Sequence, residues 1–531
     1  MGDTSSYKVL VAEKISPEGI EKLKERFEVD AYKKMSHEDL LECVGRYDAL
    51  IVRSGTSVDS EVIDKAENLK IIGRAGIGVD NIDVEAATRK GVMVANVPES
   101  NIISAAEHTM AMLMAVARNI PAANISLSGG EWNRSAYQGV ELYGKTLGII
   151  GLGRIGALVA ERALGFGMKL AGYDPFISVQ KAKHIGVELK GSIEEVIQVA
   201  DFITLHVPRN EDTYHLIGKD QMVMAKDSVR IVNVSRGGVV DEEALAEAIE
   251  TGEVAGAAID VFECEPPGDS RLCKMPGVVV TPHLGASTTE AQYKAGVAIA
   301  EQVIAALDGQ FVGGAVNIAM PHKEVVEALQ PYLPLCEKLG KLITHLVRGV
   351  ISEMEFETLG SISEFDTSLL TVAFLKGLLE NVSTESVTYV NAPIMAMERG
   401  ITLKESKSRQ SRDYLDLITV SAHDDRGKVT AGATMVGKDQ EMFVNVFDFS
   451  IDIAPSKYLV FVEYEDRPGM IGKIGGILGE NSINIVSLQV GRRQIDGNAA
   501  MGMTLDRPIT PDIKDRIKAE AGIVEVTFIF L

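Results

Sequence analysis

The chain has 531 residues, with 53 Lys and Arg against 75 Asp and Glu for a net charge of −22, and 46% of its residues are hydrophobic. That apolar share excludes a disordered chain, and at roughly 150 residues per domain the length gives about three or four domains, each able to bury its own core. The acidic balance works against a general role on nucleic acid or an anionic membrane, whereas a small anion in a locally basic pocket stays open.

Cys43, Cys264, Cys273 and Cys336 are far apart and form no C-x-x-C pair, a pattern that fits neither a disulfide framework nor a zinc knuckle and points to a reducing compartment. The N-terminus passes from polar MGDTSSY straight into Val9-Leu10-Val11-Ala12, without a charged region, a long apolar stretch or a basic transit segment. With no apolar run of membrane-spanning length elsewhere, the expectation is a soluble cytoplasmic protein, although a trimmed precursor would look the same.

From Lys8 to about Pro98, KVLVAE, DALIVRS, KIIGRAG and VMVANVP alternate with amphipathic stretches such as EGIEKLKERF, the pattern of buried parallel strands and helices. A helical run at Ile102–Arg118 leads to a second series from Thr146: TLGII, KLAGYD, DFITLHV, VRIVNVS, VAGAAIDVF and VVVTPH. A long helical pattern from Thr288 to Leu307 then ends at Asp308-Gly309, a suitable return to the first domain. The prediction is two α/β lobes facing each other across a cleft, one of them discontinuous (1–98 and 283–316) around the other (99–282). An α+β segment (317–454) follows, and residues 455–531 read β-α-β-β-α-β, a ferredoxin-like order.

Gly151-Leu152-Gly153-Arg154-Ile155-Gly156 matches G-x-G-x-x-G between an apolar strand and a helix, the context a dinucleotide fingerprint requires. Gly151 and Gly153 permit a tight turn and close approach of the backbone, Gly156 lets helix and strand pack, and the helix start attracts a pyrophosphate. Asp174, about twenty residues on, can accept from ribose hydroxyls and would repel a 2′-phosphate, so both lobes read as Rossmann-like and the cofactor as NAD rather than NADP. Arg236, Glu265 and His283 sit at or just beyond strand ends, where a parallel sheet forms its ligand crevice. A guanidinium that grips a carboxylate beside a His–Glu pair suits a 2-hydroxy acid dehydrogenase, though each residue alone also fits a surface or structural role. The scattered histidines suggest no metal site.

GRAGIGVDNID, GKTLGIIGLGRIG, NVSRGGVVDEEAL, AIDVFECEPP and TPHLGAST together resemble the D-isomer-specific 2-hydroxyacid dehydrogenase family over roughly residues 8–316. The resemblance implies Arg236, Glu265 and His283 as catalytic residues. It implies cofactor contacts at Arg154, Ile155, Asp174, Val207, Val234, Ser235, Arg236, Asp260, His283, Gly285 and Ala286. It also implies substrate contacts at Arg53, Ser54, Gly76 and Ile77, and at Arg134 if that residue reaches a neighbouring subunit.

Tyr464-Glu465-Asp466-Arg467-Pro468-Gly469-Met470 followed by Asn484-Ile485 resembles an ACT regulatory domain, and the order dehydrogenase, insert, ACT resembles the long form of the family that oxidises 3-phospho-D-glycerate. That implies an NAD-dependent first step of L-serine synthesis, with L-serine as effector held by Tyr464, Asp466 and Asn484 between paired ACT domains of a dimer or tetramer. A broad 2-ketoacid reductase and a non-catalytic NAD sensor on the same scaffold stay open as alternatives.

Overall fold

The computed structural model describes residues 7–531 apart from 319, 320, 322, 348, 350, 352, 412, 425, 426, 438, 439 and 493–496. The first five strands, β1 (Lys8–Val11), β2 (Glu28–Ala31), β3 (Ala49–Val52), β4 (Ile71–Arg74) and β5 (Met93–Asn96), pair in parallel in the order β2-β1-β3-β4-β5. Successive side chains of a strand point to opposite faces, so apolar runs such as Ala49–Val52 supply two cores at once. Leu10, Leu50 and Ile72 pack with Leu40, Val62 and Ile63 on one face. On the other, Val9, Ile51 and Ile71 pack with Ala295, Ile299 and Val303 of the helix Thr289–Leu307.

Seven parallel strands make the second sheet: β6 (Thr146–Ile150), β7 (Lys169–Tyr173), β8 (Glu188–Leu189), β9 (Phe202–Leu205), β10 (Arg230–Asn233), β11 (Gly256–Ile259) and β12 (Val278–Val280). Their order is β12-β11-β10-β9-β6-β7-β8. Strand β6 has β7 on one side and β9 on the other, so the winding reverses there and opens a crevice at the carboxyl ends. The chain crosses between lobes outbound at about 98–101, just before the helix Ile102–Arg118, and returns at about 281–288.

Helices Leu333–Leu346 and Ser368–Glu380 pack on a third sheet of β13 (Glu353–Gly360), β14 (Thr402–Ser408), β15 (Asp416–Asp424), β16 (Gly427–Val436) and β17 (Gln440–Val446), ordered β14-β13-β15-β16-β17. The last sheet is antiparallel: β18 (Tyr458–Glu465), β19 (Ile485–Arg492), β20 (Asn498–Leu505) and β21 (Ile523–Phe530), in the order β19-β20-β18-β21. Val460, Val462, Met501 and Met503 meet its own two helices, whereas Leu459, Phe461, Ala500 and Ile529 join the core of the preceding domain. Among the described residues, no single helix is long and apolar enough to cross a membrane.

Asn317 ties the end of the return segment to the first sheet: its Oδ1 accepts from Val94 N (2.9 Å), and its Nδ2 donates to Val92 O (2.9 Å) and Thr88 Oγ1 (3.0 Å). With a hydrogen bond contributing about 1 kcal/mol net, Asn317→Ala should cost about 2 kcal/mol and lower Tm by several degrees, while Asn317→Asp, which keeps the acceptor, falls between the two. A thermal melt of the full chain measures both; coincident melts would remove Asn317 as the tie.

Candidate active site

Gly151 ends β6 with φ +90°, and a Cβ there would strike the His206 carbonyl, while a Cβ on Gly156 would strike the Gly151 carbonyl. Space is open in front of Gly153, immediately before the helix Arg154–Gly165, so an anionic ligand can reach the first amides of that helix. His206, beneath the turn, is part-buried; desolvation pushes its pKa down to about 4, so it is a neutral group bonded to Thr204 Oγ1 (3.1 Å). At the end of β7, Asp174 accepts from Leu152 N on Oδ2 and from Phe176 N on Oδ1, both at 2.8 Å. These bonds tether a carboxylate with spare lone pairs beside the glycine turn. Arg154 pairs with Glu99 at 3.0 Å, linking the helix start to the outbound crossing.

The groove beside the turn, lined by Gly153, Arg154, Ile155, Ile77, Pro98 and His206, runs into a cleft of about 340 Å³ between the lobes. Ile155, Val207, Val234, Ser235, Asp260, Gly285 and Ala286 line it from the second lobe. An open glycine turn, a tethered carboxylate and a continuous groove fit NAD along its length.

Arg236 follows β10, and Glu265 and His283 lie beyond the ends of β11 and β12. His283 Nδ1 is 2.7 Å from Glu265 Oε2, while Phe262 N donates to Glu265 Oε1 at 3.1 Å. Burial raises the pKa of Glu265, but the bond and charge of His283 and the Phe262 amide outweigh it and hold the carboxyl below its usual range. An ionised Glu265 accepts a hydrogen bond from Nδ1–H, which leaves Nε2 as the free ring nitrogen facing away from it. His283 itself has φ +54°, so its backbone is held in a conformation that non-glycine residues rarely adopt.

Asp260 supports that backbone. Its side chain is fully buried, with Oδ1 accepting from Leu284 N (2.7 Å), Thr281 Oγ1 (2.5 Å) and His108 Nε2 (3.1 Å), and Oδ2 accepting from Gly285 N (2.9 Å). Burial raises its pKa, yet His108, Thr281 and the Leu284 amide hold it below the usual carboxylate range. Oδ2 keeps capacity for a second donor, and Asp260 lines the cleft. A sequence pattern shows the cofactor-facing side of Asp260 and misses its loop-holding side, because the donors come from residues 21–25 places on and from a helix about 150 places back.

Arg53 and Ser54 follow β3 and line the cleft from the first lobe, as do Gly76, Ile77 and Gly78 after β4. The Gly76 amide is bonded to Arg74 O (2.8 Å). Arg74, absent from the sequence-derived set, lines the cleft too, and its Nε is buried without a partner among the described residues. Burial and then Arg236 lower its pKa to about 10, with Arg53 adding to the effect against Asp80 and Glu13. The strand-end rule that selected Arg236 also points to Arg74, the last residue of β4. Arg236 Nε is 3.4 Å from Asp80, which partly balances it.

Arg134 starts an exposed 3₁₀ turn, Arg134–Tyr137, and lines neither cavity of its own chain. Tyr464 is 3% exposed and packs in the core of the last domain in the single chain. Asp466 Oδ2 accepts from Arg492 Nε (2.8 Å), and Asn484 N donates to Asp506 (2.9 Å). Strands β18 and β19 both run antiparallel to β20, so Asp466, after β18, lies near the Asn498 end and Asn484, before β19, near the Leu505 end. Eight residues of strand place them roughly 25 Å apart. One small amino acid can touch both only if two chains supply them.

A family model for the NAD-binding domain of D-isomer-specific 2-hydroxyacid dehydrogenases matches residues 110–285, which sets the class of the cleft. Models for the D-3-phosphoglycerate dehydrogenase intervening domain and the ACT domain match residues 328–447 and 458–522. The chain belongs to the D-3-phosphoglycerate dehydrogenase family: it is 45% identical to the Synechocystis enzyme of that name over 517 residues, 97% of this chain and 93% of the relative. It is 43% identical to the Methanocaldococcus jannaschii enzyme, covering 99% of this chain and all of the other. A solved protein from Thermus thermophilus, 32% identical, superposes with a TM-score of 0.54 over 58% of this chain and 99% of its own.

A carboxyl whose pKa is lowered on folding contributes stability that is complete above its unfolded value, about 3.9, and is lost as pH falls through the folded value. Asp260→Asn should therefore melt below the parent at pH 7, and the difference should narrow as pH drops below about 4. Calorimetry across that range measures it, and a constant difference would mean that the Asp260 charge contributes nothing.

Proposed function

We propose that the chain oxidises 3-phospho-D-glycerate to 3-phosphohydroxypyruvate with NAD in the cytoplasm, as the first step of L-serine synthesis, under feedback by L-serine. The observation that carries this reading is the grouping of Arg53, Arg74 and Arg236 beside the His283–Glu265 pair in one cleft. Three guanidiniums in a chain of net charge −22 suit a ligand that is anionic at both ends.

Bound NAD supplies the hydride acceptor. Arg236 grips the substrate carboxylate and polarises the oxygen at C2 as it becomes a carbonyl. His283 Nε2 takes the hydroxyl proton, and the ionised Glu265 stabilises the imidazolium that results. Arg53, Arg74, Ser54 and the Ile77 amide receive the phosphate end.

The helix Ile120–Ser128 buries no residue, and Ile125 (71% exposed), Leu127 (56%), Trp132 (78%) and Tyr143 (78%) leave an apolar surface beside Arg134. This reading assigns it to pairing with a second copy, which would bring Arg134 to the partner's cleft. The separation of Asp466 from Asn484 likewise supports a serine site shared by two ACT domains.

NADH oxidation with 3-phosphohydroxypyruvate, run beside hydroxypyruvate, glyoxylate and pyruvate, with and without L-serine, tests the proposal. The expected result is a strong preference for the phosphorylated ketoacid, suppressed by serine. Equal use of all four would favour a broad reductase, and use of none an NAD sensor. Arg74→Met should raise KM for the phosphorylated ketoacid by about 10-fold or more and change that for pyruvate little, given the roughly 1.5–3 kcal/mol of a charged hydrogen bond. His283→Ala should lower kcat by about 10²–10⁴-fold at nearly unchanged NADH affinity.

A further inference from the structure

We infer that His108, on the helix that carries the chain out of the first lobe, is a positioning residue for the His283 loop. The inference rests on the reading of His283 as the proton acceptor. His108 Nε2 lies 3.1 Å from Asp260 Oδ1 and 3.2 Å from Thr281 Oγ1. The Thr281 hydroxyl donates to the same Asp260 oxygen, so Nε2 carries the proton and donates to both. Four residues earlier on the same helix, Ser104 Oγ is 2.7 Å from Thr288 Oγ1, and Thr288 caps the helix Thr289–Leu307 by accepting from Ala291 N.

Residues four apart share a helix face, so Ser104 and His108 clasp the two ends of the returning segment 281–288. Between those ends sits His283, in its left-handed conformation, with Asp260 holding the amides of Leu284 and Gly285. A buried carboxylate keeps its place only while its donors are present. Removing His108 withdraws the donor that Asp260 and Thr281 share and frees the loop to relax away from the geometry in which Nε2 meets the substrate. His108 lines neither of the two cavities that form the cleft and groove, so its loss should act on turnover more than on binding.

The test compares His108→Leu, His108→Gln and the parent full-length chain in NADH oxidation with 3-phosphohydroxypyruvate, with a thermal melt of each. Glutamine places an N–H close to the position of Nε2; leucine fills the space without a donor. In His108→Leu kcat should fall about 10- to 100-fold, the cost of a displacement of about 1 Å at a reacting group, with both KM values within about threefold of the parent. His108→Gln should recover to within about threefold in kcat. Turnover in His108→Leu within twofold of the parent overturns the inference, as does a glutamine variant no better than leucine.

If His108→Leu does not fold, Thr281→Val removes the bridging hydroxyl from the other side. A fall in kcat of at least about fivefold supports the inference, and an unchanged kcat overturns it. An active parent matched by His108→Leu defeats the inference alone, whereas a parent that turns over none of the four ketoacids defeats the functional reading and the inference with it.

Discussion

The first sheet is buried on both faces, and one of the helices that cover it comes from far along the chain. Its β1, β3 and β4 strands present Val9, Ile51 and Ile71 to a face that stays open until Thr289–Leu307 arrives, about two hundred residues later. Covering that face requires the chain to leave for the second lobe and return, so two crossings span the cleft. The return crossing lies just past β12, at the carboxyl end of the second sheet, where ligands of such sheets bind. His283 sits in that crossing. The need to complete one hydrophobic core thus places His283 between the two lobes.

Electrostatics divide the same cleft into two regimes. On the second lobe the carboxylates are satisfied: Asp260 by four donors, Asp174 by two backbone amides, and Glu265 by His283 and the Phe262 amide. On the first lobe the cations are under-satisfied, with Arg74 half-buried, its buried Nε unpartnered among the described residues, and the positive charges of Arg236 and Arg53 nearby. Fixed anions hold backbone in place, while crowded cations repel until a ligand arrives. The arrangement therefore spends its hydrogen bonds on geometry and reserves its unbalanced charge for recognition.

What was legible in the sequence follows from this division. Gly151 and Gly156 could be read because any side chain there would collide with backbone, a local demand that leaves a local pattern. Arg236, Glu265 and His283 could be read because strand ends are visible as the end of apolar runs. Arg74 obeys the same rule but ends a run that continues into a glycine turn, so the turn drew attention to Gly76 and Ile77 instead. His108 left no signal: a histidine in the middle of an amphipathic helix is defined by what the fold brings to it, and its partners lie 152 and 173 residues away. Arg134 and the trio of Tyr464, Asp466 and Asn484 mark a different limit, since a single chain does not assemble the sites they suggest.

The C-terminal domains are joined to the cleft by packed contacts. One face of the ACT sheet is part of the intervening domain's core, through Leu459, Phe461, Ala500 and Ile529, so these two domains share a core along that face. The intervening domain touches the first lobe where Thr388 Oγ1 donates to Gly91 O (3.1 Å), at the turn leading into β5. From the end of β5, the Asn96 side chain reaches Ile77 O in the glycine turn of the cleft, and the chain runs directly into the outbound crossing. Each step is a packed or hydrogen-bonded contact, so the ACT sheet is joined without a gap to the glycine turn of the cleft and to the outbound crossing. Under the proposed serine feedback, an effector held between two ACT domains would reach the cleft along these contacts, without any contact of its own near the substrate.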